Sequence, residues 1–374
     1  MIRPELFIAD DASLRALVDS LSSVTELAVD TESNGFFAFF EKVCLVQMST
    51  REGDFVVDPQ ATDLKLLAPL FADPARELVF HAAEGDVVNL RRDYGFTFGR
   101  LFDTNAAAKI LGKSATGLSG LAKELTGVEL SKDEQRSDWG RRPLTPSQIA
   151  YAFNDTRHLL AMADALKLEL VAKGRLEEAE AEFARLAQKS ARPREPDPDA
   201  YAGMKVARGL DPRQRAVLKA LHAARDALAR KLDRPVFKVV SDESLGEIAK
   251  SRPKDADALL KVPRLPPAIA RRFSRELLAA VAEGEAAPPE VRAAREREAP
   301  PPQEVLDRFE KLRAWRKARA AERGVEVQVV APNAVLMAVA RVAPATLEAL
   351  AQVEGMDAHR LSAWGAQLVA VLAG

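Results

Sequence analysis

Apolar residues recur along this chain at two spacings, and the change from one to the other outlines its architecture. Within residues 12–21, Leu14, Leu17, Val18 and Leu21 keep helical spacing and predict an amphipathic helix. The next apolar stretch, Leu27-Ala28-Val29-Asp30-Thr31-Glu32, reads as a strand that ends in two carboxylates. Strand segments follow at 43–49 and 54–57, short runs divided by turn residues that suggest hairpin neighbours. Residues 61–71 return to a helical period, and 77–81 form another strand. A helix then runs over 84–94 with Gly95 as its stop. Leu101-Phe102 is a short strand leading through Asp103-Thr104 into a helix that ends at Leu111. Strand-rich segments first and β–α units afterwards predict an α/β fold, a mixed sheet flanked by helices.

The second half is helical. Thr145-Pro146-Ser147-Gln148 is a helix start with a capping-box Thr and Gln and proline at the first helical position. The helix it opens carries Ile149, Phe153, Leu160 and Ala163 on one stripe. Tyr151 and Asp155, four apart, fall on a different face, either as an ordinary exposed pair or as a catalytic pair facing a cleft. Helical character continues to about Lys189, and prolines at 193, 196 and 198 mark a linker. A second break spans Pro288-Pro289 to Pro300-Pro301-Pro302. The segments 211–284 and 303–374 are weak repeats of each other. Each has a long helix (211–232; 303–323), then a β-branched, strand-like run (237–240; 327–330), then three short helices. Leu259 and Val262 fall where Leu350 and Val353 fall. The expected organisation is an α/β domain over 1–190, a linker over 191–210, a helical domain over 211–284, a proline-rich linker over 285–302 and a second helical domain over 303–374.

Composition narrows the classes of function. At 47% hydrophobic and 29% charged residues the chain has ample core-forming material. The formal net charge of −1 gives no global basic field, so any nucleic acid must be held by local patches. The helix over 306–323, with Arg308, Lys311, Arg313, Arg316, Lys317, Arg319 and Arg323, is either a solvated basic helix or a phosphate-contacting surface. Cys44, the single cysteine, lies in an apolar run and rules out an intramolecular disulfide. The start Met1-Ile2-Arg3-Pro4-Glu5 reaches an acidic residue too early for a signal peptide, and no apolar run approaches a membrane span. A cytoplasmic protein is expected.

Most motifs that would specify chemistry are missing. The four histidines show no zinc-ligand spacing, and no GxSxG elbow is present. Gly112-Lys113-Ser114 ends a helix and lacks the earlier glycine of a phosphate loop, so Gly112 reads as a helix cap. The carboxylates remain. Asp30 and Glu32 share one strand face, which suits a divalent cation or a solvated acidic turn. Asp86, in the first turn of a helix after a strand, and Asp155 each have an ordinary explanation as well.

Taken in order, these residues resemble ribonuclease D, of the DEDD superfamily of 3′-to-5′ exonucleases. The first motif looks like Val29-Asp30-Thr31-Glu32, the second like Phe80-His81-Ala82-Ala83-Glu84-Gly85-Asp86, and the third like Tyr151-Ala152-Phe153-Asn154-Asp155. Asp138-Trp139-Gly140-Arg141-Arg142-Pro143-Leu144 is also similar to the family, and the two helical repeats look like HRDC domains. The resemblance implies a ribonuclease H-like fold and two divalent metal ions, Mg²⁺ or Mn²⁺. Asp30 would bridge the ions, Glu32 and Asp155 would hold the one beside the nucleophile, and Asp86 would act through water. Tyr151 would orient the attacking water. The implied substrate is RNA with a single-stranded 3′ end, tRNA precursors foremost, cut to 5′-mononucleotides. A DNA exonuclease using the same site, or a nucleic-acid-binding protein of weak activity, is the alternative. The segment 33–40, with Phe36, Phe37, Phe39 and Phe40, departs from the family pattern; its rings either stack bases or pack the loop.

Overall fold

The apolar strands pair into one mixed sheet. In this computed structural model, residues 4–190, 197–290 and 301–373 are described. The linker positions expected at 191–196 and 291–300 lie outside them. The strands β1 (Glu5–Ile8), β2 (Glu26–Ser33), β3 (Val43–Ser49), β4 (Asp54–Val57), β5 (Glu77–Phe80) and β6 (Arg100–Asp103) lie in the order β1-β4-β3-β2-β5-β6. β2, β3 and β4 are antiparallel neighbours, while β1, β5 and β6 join in parallel. The carboxylate-bearing β2 is therefore central, buried between β3 and β5. Among the described residues eight helices accompany the sheet: α1 (Asp11–Ser20), α2 (Ala68–Ala72), α3 (Glu84–Tyr94), α4 (Thr104–Leu111), α5 (Leu118–Thr126), α6 (Pro146–Arg157), α7 (Leu159–Ala172) and α8 (Leu176–Ala187).

Local signals set several boundaries. Gly95 closes α3 at φ 74° and Gly112 closes α4 at φ 76°, the left-handed backbone that glycine adopts without strain. Thr145 and Gln148 form the expected capping box at the start of α6. Other expectations need correction. β1 was not foreseen, and the stretch 61–71 is a 3-10 turn over Leu64–Leu67 followed by the short α2. The helix opened at Pro146 does not run through Leu160 but breaks at His158, so α6 and α7 point their apolar residues independently.

The remaining helices form two further regions. The first holds α9 (Pro212–Leu232), α10 (Val236–Val239), α11 (Asp242–Ser251), α12 (Ala256–Leu260), α13 (Pro267–Arg272) and α14 (Ser274–Ala286). The second holds α15 (Gln303–Arg323), α16 (Val327–Val330), α17 (Asn333–Val342), α18 (Leu347–Ala351) and α19 (Ala358–Ala373). The two β-branched runs are thus helical turns rather than strands, and the first region ends in four helices rather than three. Valine's strand preference is weak and yields to packing, here the burial of Val239 and Val330.

By compactness the chain forms two units. One contains the sheet, α1–α8 and α15–α19; the other contains α9–α14 together with residues 34–42, the loop between β2 and β3. Within the first unit the Arg323 side chain pairs with Glu178, Arg175 donates to the Arg323 carbonyl at 2.9 Å, and Val329 joins the sheet's core. The basic helix α15 spends most of its charge internally. Arg316 is buried and donates to the Ala331 carbonyl at 2.7 Å, while Arg308, Arg313 and Arg319 pair with Glu304, Glu310 and Glu322.

Candidate active site

Strand register decides which side chains meet. Asp30 lies opposite Gln47 and Glu32 opposite Leu45, while Ala28 lies opposite Ser49, so these even positions of β2 share a face with Leu45, Gln47 and Ser49. Helix α6 covers that face. The Ser49 hydroxyl donates to Asp54 Oδ1 at 2.7 Å, which leaves it to accept from Thr156 Oγ1 at 2.7 Å, and Arg157 Nε donates to Asp54 Oδ2 at 2.8 Å. This buried chain fixes the rotation of α6 and turns Asp155 inward to 6% exposure. Asp155 is thus a buried residue, not one half of an exposed pair. Tyr151, one turn earlier, is half-buried, and its ring lies 5.9 Å from that of the buried Trp139. The stretch around Trp139 is itself braced by Arg142, which forks onto Asp58 at 2.6 and 2.7 Å and donates to the Cys44 carbonyl at 2.9 Å.

Asp86 arrives from the other side of the strand. Thr31, on the odd face of β2, donates its hydroxyl to Asp86 Oδ1. The entry to α3 is held by Asp103, a residue the sequence marked only as a helix start. Its carboxylate accepts from the amides of Ala82 at 3.2 Å, Ala83 at 2.7 Å and Ala106 at 2.9 Å. Ala82 sits at φ 61°, a left-handed conformation that is unfavourable for alanine and that these bonds hold in place. His81 is kept neutral by burial, its pKa pushed down to about 4. Because Thr104 gives its proton to the Phe80 carbonyl, His81 Nδ1 carries the hydrogen in the 2.8 Å bond between them.

The five residues form one electrostatic group. Burial raises the pKa of all four acids: Asp30 and Asp86 well above the carboxylate range, Glu32 to about 10 and Asp155 to about 8. Like charge adds to this, Asp155 acting on Asp30, and Asp30, Asp155 and Asp86 acting on Glu32. A hydrogen bond from Tyr151 works the other way on Asp155. Tyr151 is itself pushed up, by burial and then by Asp155, Glu32 and Asp30, so its hydroxyl stays protonated. Among the described residues no arginine or lysine offsets the four acids, and Asp155 Oδ2 is buried with no hydrogen-bond partner.

An all-oxygen donor set whose charges lack compensation fits a hard divalent cation. Among the described residues no three acid, histidine or cysteine side chains are gathered as a ready-made ligand group.

Sequence reasoning missed Gln47. It is fully buried opposite Asp30, and neither amide atom finds a partner among the described residues. The available signal was a lone amide inside an otherwise apolar strand. Gln47→Leu keeps the volume and removes two unpaired polar atoms, so the urea midpoint should rise by the equivalent of about 1–3 kcal/mol. A fall in the midpoint would show that the amide is engaged in solution.

A mixed sheet whose central strand and flanking helices carry four electrostatically interacting carboxylates and a tyrosine, followed by paired helical domains, is the architecture of the 3′–5′ exonuclease class. Residues 6–171 match the 3′–5′ exonuclease family, and residues 214–281 and 305–372 each match the HRDC domain. The chain is 34% identical over 304 residues to ribonuclease D of Acidiphilium cryptum, spanning 79% of this chain and 77% of that one. It is 33% identical over 342 residues to ribonuclease D of Pseudomonas paraeruginosa, spanning 90% and 89%. The crystal structure of Escherichia coli RNase D, an exoribonuclease involved in structured RNA processing, has the same fold, with a TM-score of 0.70 at 24% identity over 100% of this chain and 99% of that one. The chain belongs to the ribonuclease D family and is a 3′–5′ exoribonuclease, of a family that depends on divalent metal.

Proposed function

We propose that this chain trims the single-stranded 3′ ends of structured RNAs, tRNA precursors foremost, in the cytoplasm, releasing 5′-mononucleotides. The electrostatic grouping of the half-buried Asp30 and Glu32 with the buried Asp86 and Asp155, uncompensated carboxylates beside a protonated Tyr151, carries this reading.

Those four carboxylates are assigned as the ligands of two divalent ions, Mg²⁺ or Mn²⁺. When bound, such ions lower the pKa of water and stabilise negative charge on the attacking and leaving oxygens. The rest falls to the chain's own groups. Tyr151 is held by its neighbours as a neutral hydroxyl, so it orients the attacking water by hydrogen bonding instead of removing its proton. Asp155, accepting from Tyr151, fixes the direction of that hydroxyl. The Ser49–Thr156 and Arg157–Asp54 bonds hold both residues at one rotation of α6. Water oxygen bonds to phosphorus as the phosphorus–O3′ bond breaks; the water's proton passes to solvent and solvent protonates the departing O3′, so the released nucleotide carries the 5′ phosphate and the shortened RNA a free 3′ hydroxyl.

The deciding experiment is a time course on end-labelled single strands of RNA and DNA in Mg²⁺, Mn²⁺ or EDTA. Release of 5′-mononucleotides from the 3′ end of RNA, lost in EDTA, is the expected result; equal attack on DNA would overturn the RNA assignment. Tyr151→Phe should lower kcat by about a hundredfold with KM unchanged, in the range of a lost positioning group. An unaltered kcat would remove Tyr151 from the chemistry.

A further inference from the structure

We propose that the loop 34–42, together with the end of α9 and α10, forms a platform on which bases upstream of the cleaved nucleotide stack. This rests on the exoribonuclease reading and extends it to the path of the strand.

The loop is built as a rigid element of the helical unit. The Asn34 side chain accepts from the Lys42 amide at 2.9 Å, and the Asn34 carbonyl accepts from the amides of Phe37 at 2.8 Å and Ala38 at 2.9 Å. Phe39 packs against the core of α9–α14, and the Phe40 amide donates to Asp233 Oδ1 at 3.0 Å. The Lys238 ammonium stands 3.9 Å over the Phe37 ring, and the Arg230 guanidinium 5.5 Å from that of Phe39.

These contacts account for Phe37 and Phe39; Phe40 meets Phe39 edge-on at 5.0 Å between centroids with Arg230 6.0 Å away, yet like Phe36 it keeps a wide face in solvent. Phe36 is 60% exposed and Phe40 52%, and beside Lys238 the ring of Phe237 is 55% exposed. These are the three most exposed phenylalanines among the described residues, and they fall in a single locality. A loop evolved only to pack would bury them, since apolar rings in water are unfavourable.

Their surroundings are cationic. Arg230, Lys231, Arg234 and Lys238 are exposed at the end of α9 and in α10. The opposing charges are Asp233, already bonded to the Phe40 amide, and the half-buried Glu41. Exposed aromatic faces interleaved with cations are what a single strand requires, because every base has a face to stack and every linkage a negative charge.

The test compares Phe36→Ala, Phe40→Ala and Phe237→Ala in the full chain. KM for a long single-stranded RNA, relative to KM for a dinucleotide, should rise about tenfold per ring removed. Phe36→Trp should restore it and Phe36→Leu should not, because only an aromatic face stacks. Leu168→Ala, which removes a still more exposed apolar side chain elsewhere, should change neither constant. Lys238→Gln should reduce the salt dependence of binding by about one phosphate contact. An unchanged KM ratio, or equal losses on long and short substrates, overturns the platform. If the parent chain releases nucleotide from no RNA, the exoribonuclease reading falls instead, and direct binding of the same long strand still tests the surface.

Discussion

Asp155→Asn should stop nucleotide release in Mg²⁺ and, in the same protein, raise the melting temperature of the metal-free chain. The two effects have one origin. Asp155 is buried on α6 with one oxygen lacking a partner and its pKa pushed up to about 8. Folding therefore has to bury a charge, or take up a proton to avoid it. Asparagine keeps the shape and can still accept from Tyr151, but it contributes no charge to repel Asp30 and none to hold a cation. The loss of rate should be about a thousandfold or more, as expected when several kcal/mol of transition-state stabilisation disappears. The gain in melting temperature should amount to several degrees, since one kcal/mol moves a domain of this size by about 2–4 °C. Nucleotide release at the parent rate would remove Asp155 from the site. A lower melting temperature would show that the carboxylate is stabilising in the metal-free fold, against the electrostatics described above.

How far the site could be read from the sequence depended on which relations are local. Alternation along one strand was enough to put Asp30 and Glu32 on a common face, and helical spacing was enough to put Tyr151 beside Asp155. Which way each face points is not local. Tyr151 and Asp155 could be read either as an exposed pair or as a pair facing a cleft, because Ile149, Phe153, Leu160 and Ala163 were read as one stripe on one helix. The break at His158 separates that stripe, and the polar chain through Ser49, Thr156 and Asp54 draws the Asp155 face inward. Burial of α6 is thus specified partly by hydroxyls and a carboxylate, which hydrophobic periodicity does not register. The same limit hid Asp103 and Gln47: one acts through the amides of a turn twenty residues earlier, the other through its register with Asp30. The β-branched runs at 237–240 and 327–330 misled for the opposite reason, because a local preference was trusted where tertiary burial decides.

The stabilising effect of divalent metal should grow with pH, and the sign follows from the carboxylates. In the unfolded chain they titrate at about 4. In the folded, metal-free chain Asp155 is raised to about 8 and Glu32 to about 10, chiefly by burial. A group whose pKa rises on folding contributes its full stabilisation below the unfolded value and loses it as pH climbs through the folded one. The metal-free protein should therefore weaken progressively from about pH 4 up through the folded values of 8 and 10. A cation bound by the same oxygens displaces those protons and replaces their effect, so its affinity rises as they become easier to remove. Melting temperatures measured with Mg²⁺ or Mn²⁺ and with EDTA should lie close together near about pH 5.5 and several degrees apart near about pH 8.5. Glu32→Gln should narrow the gap at the higher pH by taking out one of the charges the cation neutralises. A gap of constant width would mean that metal binding is not linked to these protons, and a gap that narrows with pH would place the stabilising ion on other groups. The linkage joins the two halves of the site's behaviour: the crowding of acids that costs the empty fold stability at neutral pH also makes it hold a divalent ion.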